Sequence, residues 1–193
     1  MTLGQVFDPR NNALNAWRLV LAAEVMLWHC WPIADRLPPP ATLQLLFSVG
    51  VDGFFAISGF LITRSWLDDP RVGGYLVARG LRILPGYYVC LIMTAFAFAP
   101  LSVAIQGGSA GELLSSGAPL EYVLKNSAVA YVHLDVGGTP SGVPHPAVWN
   151  GSLWSLVWEV ICYLAAAGIG VAGLASRRWV SPAILLVATG LAT

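Results

Sequence analysis

Arg18 and His29 stand eleven positions apart inside the first long apolar run of the chain, which extends from Ala13 to Ile33. Eleven steps close about three turns of a helix, so the two side chains fall on one face, roughly 16 Å apart along the axis. In an apolar setting an imidazole can take a proton from a hydroxyl, and a guanidinium can hold an anion. A second group lies in Asn150-Gly-Ser-Leu-Trp-Ser-Leu-Val-Trp-Glu-Val-Ile-Cys-Tyr163, where Ser152, Ser155, Glu159 and Tyr163 recur at helical spacing. The serines and Tyr163 can hydrogen-bond the carboxylate. On neighbouring helices, Glu159 and His29 can pair so that the carboxylate orients the imidazole as a base. Arg79 and Arg82, in Arg79-Gly-Leu-Arg82, share a helix face beside an expected helix start, a geometry that holds phosphate. Asp52 is a further carboxylate in an apolar run, where an unpaired charge is costly.

Each group also has a plainer reading. Arg18 can snorkel, and His29 can be a packed histidine bonded to a backbone carbonyl. Arg79 and Arg82 can be ordinary cytoplasmic charges at a membrane edge. Gly50, Gly53 and Gly59 suit close helix packing better than chemistry. His133 and His145 lie in loop sequence, and Glu24 falls off the face shared by Arg18 and His29.

The elements that must position these residues are membrane helices. Apolar residues make up 56% of the 193 and charged ones only 10%, against about a quarter in soluble domains. Mean hydropathy is +0.69. Net charge is zero, and no basic run or nucleic-acid motif is present, so nucleic acid is excluded and lipid is the expected partner. Four stretches can cross a hydrocarbon core, near 13–33, 43–63, 83–105 and 152–175. A fifth run from Ser181 to Thr193 is too short. The expected fold is all-α: a polytopic transmembrane helical bundle in one domain over 1–193, with four full spans and a truncated fifth. Arg18 and Glu24 inside the first span argue against a cleavable signal peptide. Cys30, Cys90 and Cys162 fall in spans and suggest packing, not a disulfide framework or a metal site.

Between spans, one side holds Arg10, Arg64, Arg71, Arg79, Arg82, Arg177 and Arg178, and the other holds Arg36 and Lys125. The positive-inside rule then makes the N-terminus cytoplasmic. His29 and Glu159 come out at similar depths below the outer surface. The connection 106–150 falls outside; it is rich in Gly and Pro, with an amphipathic helical piece expected at 120–132, and its length suits a binding loop or lid.

The ordered set Asn12…Arg18-x10-His29, Gly50-Val-Asp-Gly-Phe-Phe-Ala-Ile-Ser-Gly-Phe-Leu-Ile-Thr63, Arg79-x-x-Arg82 with Ile83-Leu-Pro85, and Asn150-Gly-Ser-Leu-Trp-Ser-x-x-x-Glu159-x-x-x-Tyr163 resembles the membrane-integral acyltransferase family of the acyltransferase-3 type. Its best-studied branch O-acetylates bacterial surface polysaccharides. The resemblance covers about residues 11–175. It implies an enzyme of the bacterial inner membrane that moves an acyl group, often acetyl, from cytoplasmic acyl-CoA to a hydroxyl of an extracytoplasmic carbohydrate or glycolipid, without a metal. It further implies a catalytic His29, donor contacts from Arg79 and Arg82, a functional Glu159, and an element Ser58-Gly59-Phe60 of less defined role. Arg18 joins the donor contacts by its expected depth. His29 as a base and His29 as an acyl carrier both remain open.

Two other readings stand beside this one. A transporter of a glycolipid or polyprenyl-linked sugar would also place Arg18, Asp52 and Glu159 along a path. Family members carry further spans, so the chain can also be an inactive fragment of the enzyme.

Overall fold

A computed structural model of the chain describes residues 13–36, 41–177, 179–180, 182–184 and 186. Arg10, Asn12, Arg178 and most of the apolar run after Ser181 lie outside them. Every regular element among the described residues is helical, and the sole strand-like feature there is an isolated bridge between Val136 and Thr139. In order, the elements are α1 (Leu14–Ile33), α2 (Ala41–Asp68), α3 (Val72–Met93), a π-helical turn (Thr94–Phe98), α4 (Ala99–Ile105), α5 (Ala110–Ser115), α6 (Ala118–Asn126), a 3-10 turn (Gly151–Leu153) and α7 (Trp154–Val171). The chain divides into two compact units, Met1–Ile62 and Thr63–Thr193.

In the first unit, α1 packs on α2 through glycine. A Cβ on Gly50 would meet Val25 Cγ2 at 3.1 Å and the Leu21 carbonyl at 3.4 Å, and one on Gly53 would meet Leu21 Cδ1 at 3.2 Å. Small residues at these two positions are what allow the backbones to approach. Gly59 has no such part, since a Cβ there would meet nothing within 4 Å.

In the second unit, α3, the π turn and α4 run on as one helical segment of 34 residues, Val72–Ile105. Together with Gly151–Val171 it is long and apolar enough to cross a membrane. Helices occupy all four expected spans, but two of the four meet that criterion. α1 carries Asn15, Arg18, Glu24 and His29, which dilute its apolarity. Exposed apolar side chains such as Leu81, Val89 and Ile92 on α3, and Ile161, Leu164 and Val171 on α7, have the character of a surface that meets lipid.

The third expected span, 83–105, is the later part of a helix that begins at Val72. Arg79 and Arg82 are therefore not at a helix N-terminus but two to three turns inside it. The break that starts the helix is Asp69-Pro70, beside which Arg71 donates to both carboxylate oxygens of Asp69 at 2.7 and 2.6 Å. That contact holds the Asp69 carboxyl below its usual range. Pro100 accounts for the π turn: it has no N–H for the carbonyl of Phe96, and its ring pushes the preceding turn wider.

A 34-residue helix rises about 51 Å, and a hydrocarbon core is about 30 Å thick, so the segment overhangs. The connection 106–150 folds onto it. Leu113, Tyr122, Val129, Tyr131 and Val136 are buried with Tyr87, Leu91, Ala95 and Ala99 in one cluster. Tyr87 and Tyr88 donate to the carbonyls of Asn126 and Ser127 at 2.7 and 2.8 Å. The expected helix at 120–132 is realised as Ala118–Asn126 and stops there. Its last residue, fully buried Asn126, donates to the carbonyls of Tyr122 and His133 and accepts from the His133 amide, while Val129 and Tyr131 take positive φ. The cysteines form no disulfide; Cys30 and Cys162 are exposed on the apolar outer faces of their helices, contrary to an expectation of packed thiols.

Replacing Asn126 with Ala would remove the partners of the part-buried His133 N–H and carbonyl. The expected loss is on the order of 3 kcal/mol, read as a lower unfolding temperature in detergent and faster proteolysis within 127–150. Unchanged proteolysis would show that the apolar cluster alone holds the connection.

Candidate active site

On α1, His29 is exposed and its Nδ1 lies 2.7 Å from the Val25 carbonyl. A carbonyl oxygen only accepts, so Nδ1 is the donor in this contact, and the neutral ring so held carries its lone pair on Nε2. The imidazole is thus oriented by its own helix. Arg18, on the same helix, is buried, with its guanidinium 4.8 Å from the centre of the Phe54 ring of α2. Its Nε is buried without a hydrogen bond among the described residues. Glu24, adjacent to Gly50, likewise buries Oε1 without a partner there. Ser58 is buried with an unbonded hydroxyl, whereas Asp52 is exposed rather than enclosed.

In the second unit a cluster forms around Arg79. Its Nη2 donates to Ser65 Oγ at 3.1 Å, and its guanidinium lies 5.7 Å from the Tyr75 ring centre and 5.9 Å from that of Tyr163. Arg79 Nε and the Tyr75 hydroxyl are buried without a hydrogen bond among the described residues. Tyr163 donates to Glu159 Oε1 at 2.5 Å, one turn along α7, and both side chains are buried. Trp66 packs edge-on to Tyr75 at 5.3 Å. A Cβ on Gly170 would fall inside the Trp66 indole, so only glycine fits beside it. The end of α2, the first turns of α3 and the middle of α7 thus meet at one cation. Arg82, one turn along, is exposed.

Further along α3, at the π turn, buried Thr94 accepts from Asn150 Nδ2 at 2.6 Å. Asn150 has φ 50 and ψ 42, the left-handed conformation that Asn tolerates best among non-glycine residues. It starts the turn that leads into α7. Beside it, burial pushes the Tyr122 and Tyr131 phenols up, and both hydroxyls are buried without a hydrogen bond among the described residues.

The model of an acyltransferase domain, the acyltransferase-3 family, matches residues 11–193. The chain belongs to this family. Among curated proteins, nodulation protein 10 of Rhizobium leguminosarum bv. viciae is 32% identical over 93% of the chain and 48% of its own length. An O-acetyl transferase of Shigella phage Sf6 is 28% identical over 88% of the chain and 48% of its own length. The chain spans about half the length of the curated relatives it matches. No solved structure matches it. The acyltransferase-3 family is membrane-associated, in keeping with the two long apolar helices of this chain.

Within the acyltransferase-3 chain, the structure places the candidates in two groups. Arg18, His29, Asp52 and Ser58 belong to the first unit, and Arg79, Arg82 and Glu159 to the second. His29 takes its orienting contact from Val25, and Glu159 takes its own from Tyr163. Ser65, Tyr75 and Trp66 escaped the sequence reading, because a serine and two aromatics on apolar helices carry no signal of their own. Asn150 and Tyr163 were visible as parts of a motif, but Thr94 was not.

Thr94→Val would remove the acceptor for Asn150 Nδ2 at nearly constant shape. It is expected to cost about 1–2 kcal/mol of stability, measured by thermal unfolding in detergent, with Thr94→Ser near wild type. Equal losses in both variants would point to the methyl group instead.

Proposed function

We propose that this chain carries the proton-accepting and donor-binding groups of a membrane O-acyltransferase. The donor is acyl-CoA, with acetyl the first group to test. The acceptor is a hydroxyl of an extracytoplasmic glycan or glycolipid. The four long helices would cross the bacterial inner membrane, with the N-terminus cytoplasmic, as the distribution of Lys and Arg favours.

The observation that carries the reading is the His29 geometry. With Nδ1–H spent on the Val25 carbonyl, the exposed Nε2 is a base of fixed tautomer. It takes the acceptor's hydroxyl proton as that oxygen attacks the thioester carbonyl. The C–S bond then breaks, and the imidazolium returns the proton to the CoA thiolate. The donor's phosphates need cations with free N–H groups. Arg18 and Arg79 each have a buried Nε without a partner among the described residues, and none of the described carboxylates lies within ion-pair distance of either. Arg82, exposed one turn from Arg79, adds a third positive group. In the second unit, Glu159 is linked to the surroundings of Arg79 through Tyr163. The relative named O-acetyl transferase supports transfer of acetyl to oxygen.

The test is acetyl-CoA turnover in membranes from cells expressing the complete reading frame. His29→Ala at matched expression is expected to lose about 100-fold or more. Turnover equal to wild type would remove His29 from the chemistry and bring a transporter forward. Arg82→Ala is expected to raise KM for acetyl-CoA and leave acceptor dependence unchanged; a defect confined to the acceptor would place Arg82 elsewhere.

A further inference from the structure

We infer that Glu159 and Tyr163 are positioning residues for Arg79, acting on binding of the anionic acyl donor rather than on proton transfer. The inference rests on the proposed donor role of Arg79.

The first ground is what surrounds the guanidinium. A cation among apolar helices ordinarily pairs with a carboxylate. Arg79 instead has a serine hydroxyl at 3.1 Å and two tyrosine ring faces within 6 Å. Glu159 is the buried carboxylate of this cluster, yet it makes no ion pair with Arg79. Tyr163 contacts both: its ring centre lies 5.9 Å from the guanidinium and its hydroxyl donates to Glu159 Oε1. A direct Arg79–Glu159 pair would neutralise the guanidinium and compete with an incoming phosphate. The shared phenol lets the carboxylate fix the aromatic wall while the cation keeps its charge for the ligand.

The second ground is the rest of the cage. Tyr75, the other wall, is set by the edge of Trp66, and Trp66 has room only because position 170 is glycine. Two donors inside this cage, Arg79 Nε and the Tyr75 hydroxyl, are buried without hydrogen bonds among the described residues. Buried donors left unpaired are costly, and an anion would satisfy both. The cage thus fits an arginine held ready for an anion, and Glu159, bonded to the outward end of one wall, fits a strut.

Substitution at Glu159 separates a strut from a base. Gln keeps an oxygen that accepts from the Tyr163 hydroxyl but has no basicity; Leu keeps neither. Steady-state kinetics with acetyl-CoA, in membranes containing the complete protein, would compare Glu159→Gln, Glu159→Leu, Tyr163→Phe and Arg79→Ala. Glu159→Gln is expected to keep kcat within about twofold and to raise KM for acetyl-CoA less than Glu159→Leu does. Glu159→Leu and Tyr163→Phe are expected to raise KM for acetyl-CoA about 5–10-fold with kcat within about twofold, and Arg79→Ala to raise it further. A large fall in kcat for Glu159→Gln would overturn the inference and make Glu159 an acid–base group. A raised KM in Arg79→Ala, with none in Tyr163→Phe, would overturn the inference and leave the donor site standing. An unchanged KM in Arg79→Ala would overturn the donor reading itself.

Discussion

A guanidinium among apolar helices must be satisfied, and at Arg79 this requirement organises the second unit. No carboxylate among the described residues reaches it, so the contacts come from a hydroxyl on α2, an aromatic face on its own helix and another on α7. Two consecutive helices and a third far along the chain are thereby drawn to one point. Those contacts depend in turn on Trp66 fitting beside Gly170, where any side chain would intrude. Moving α7 against α2 would strip the cation of its neighbours, a cost far larger than that of any single apolar contact.

The other end of the unit follows from the length of one helical segment. The segment Val72–Ile105 is longer than a bilayer needs, and its later half supplies the apolar surface on which 106–150 folds. Tyr87, Tyr88 and Asn126 convert that surface into a defined docking by hydrogen-bonding backbone groups of the connection. The Thr94–Asn150 hydrogen bond then ties the π turn to the entry of α7, the helix that carries Glu159 and Tyr163. A connection whose Gly and Pro content reads as loose loop is a folded cap with its own core.

Several features were legible in the sequence because they rest on composition and period. An all-helical fold, four long helices and the glycine contact between α1 and α2 follow from apolar runs and from small residues at helical spacing. The family was legible for a different reason: four motifs in order carry more information than any one. Boundaries were less legible. The start of α3 was missed because Arg71, Arg79 and Arg82 lower the local apolarity of a segment that helical hydrogen bonding nonetheless carries through.

The sequence by itself determined which groups are available: an imidazole on α1, arginines at three places and a carboxylate on α7. The contact that orients His29 lies within one turn of its own helix and needs no partner from elsewhere in the chain. Tertiary structure alone decided which of these groups are enclosed and by what. Arg18 is buried against Phe54 while Asp52 is exposed, and Arg79 is walled by tyrosines while Arg82 is open. Helical period places residues on a face, but whether a face meets a neighbour depends on helices brought together from far along the chain, and no local spacing encodes that.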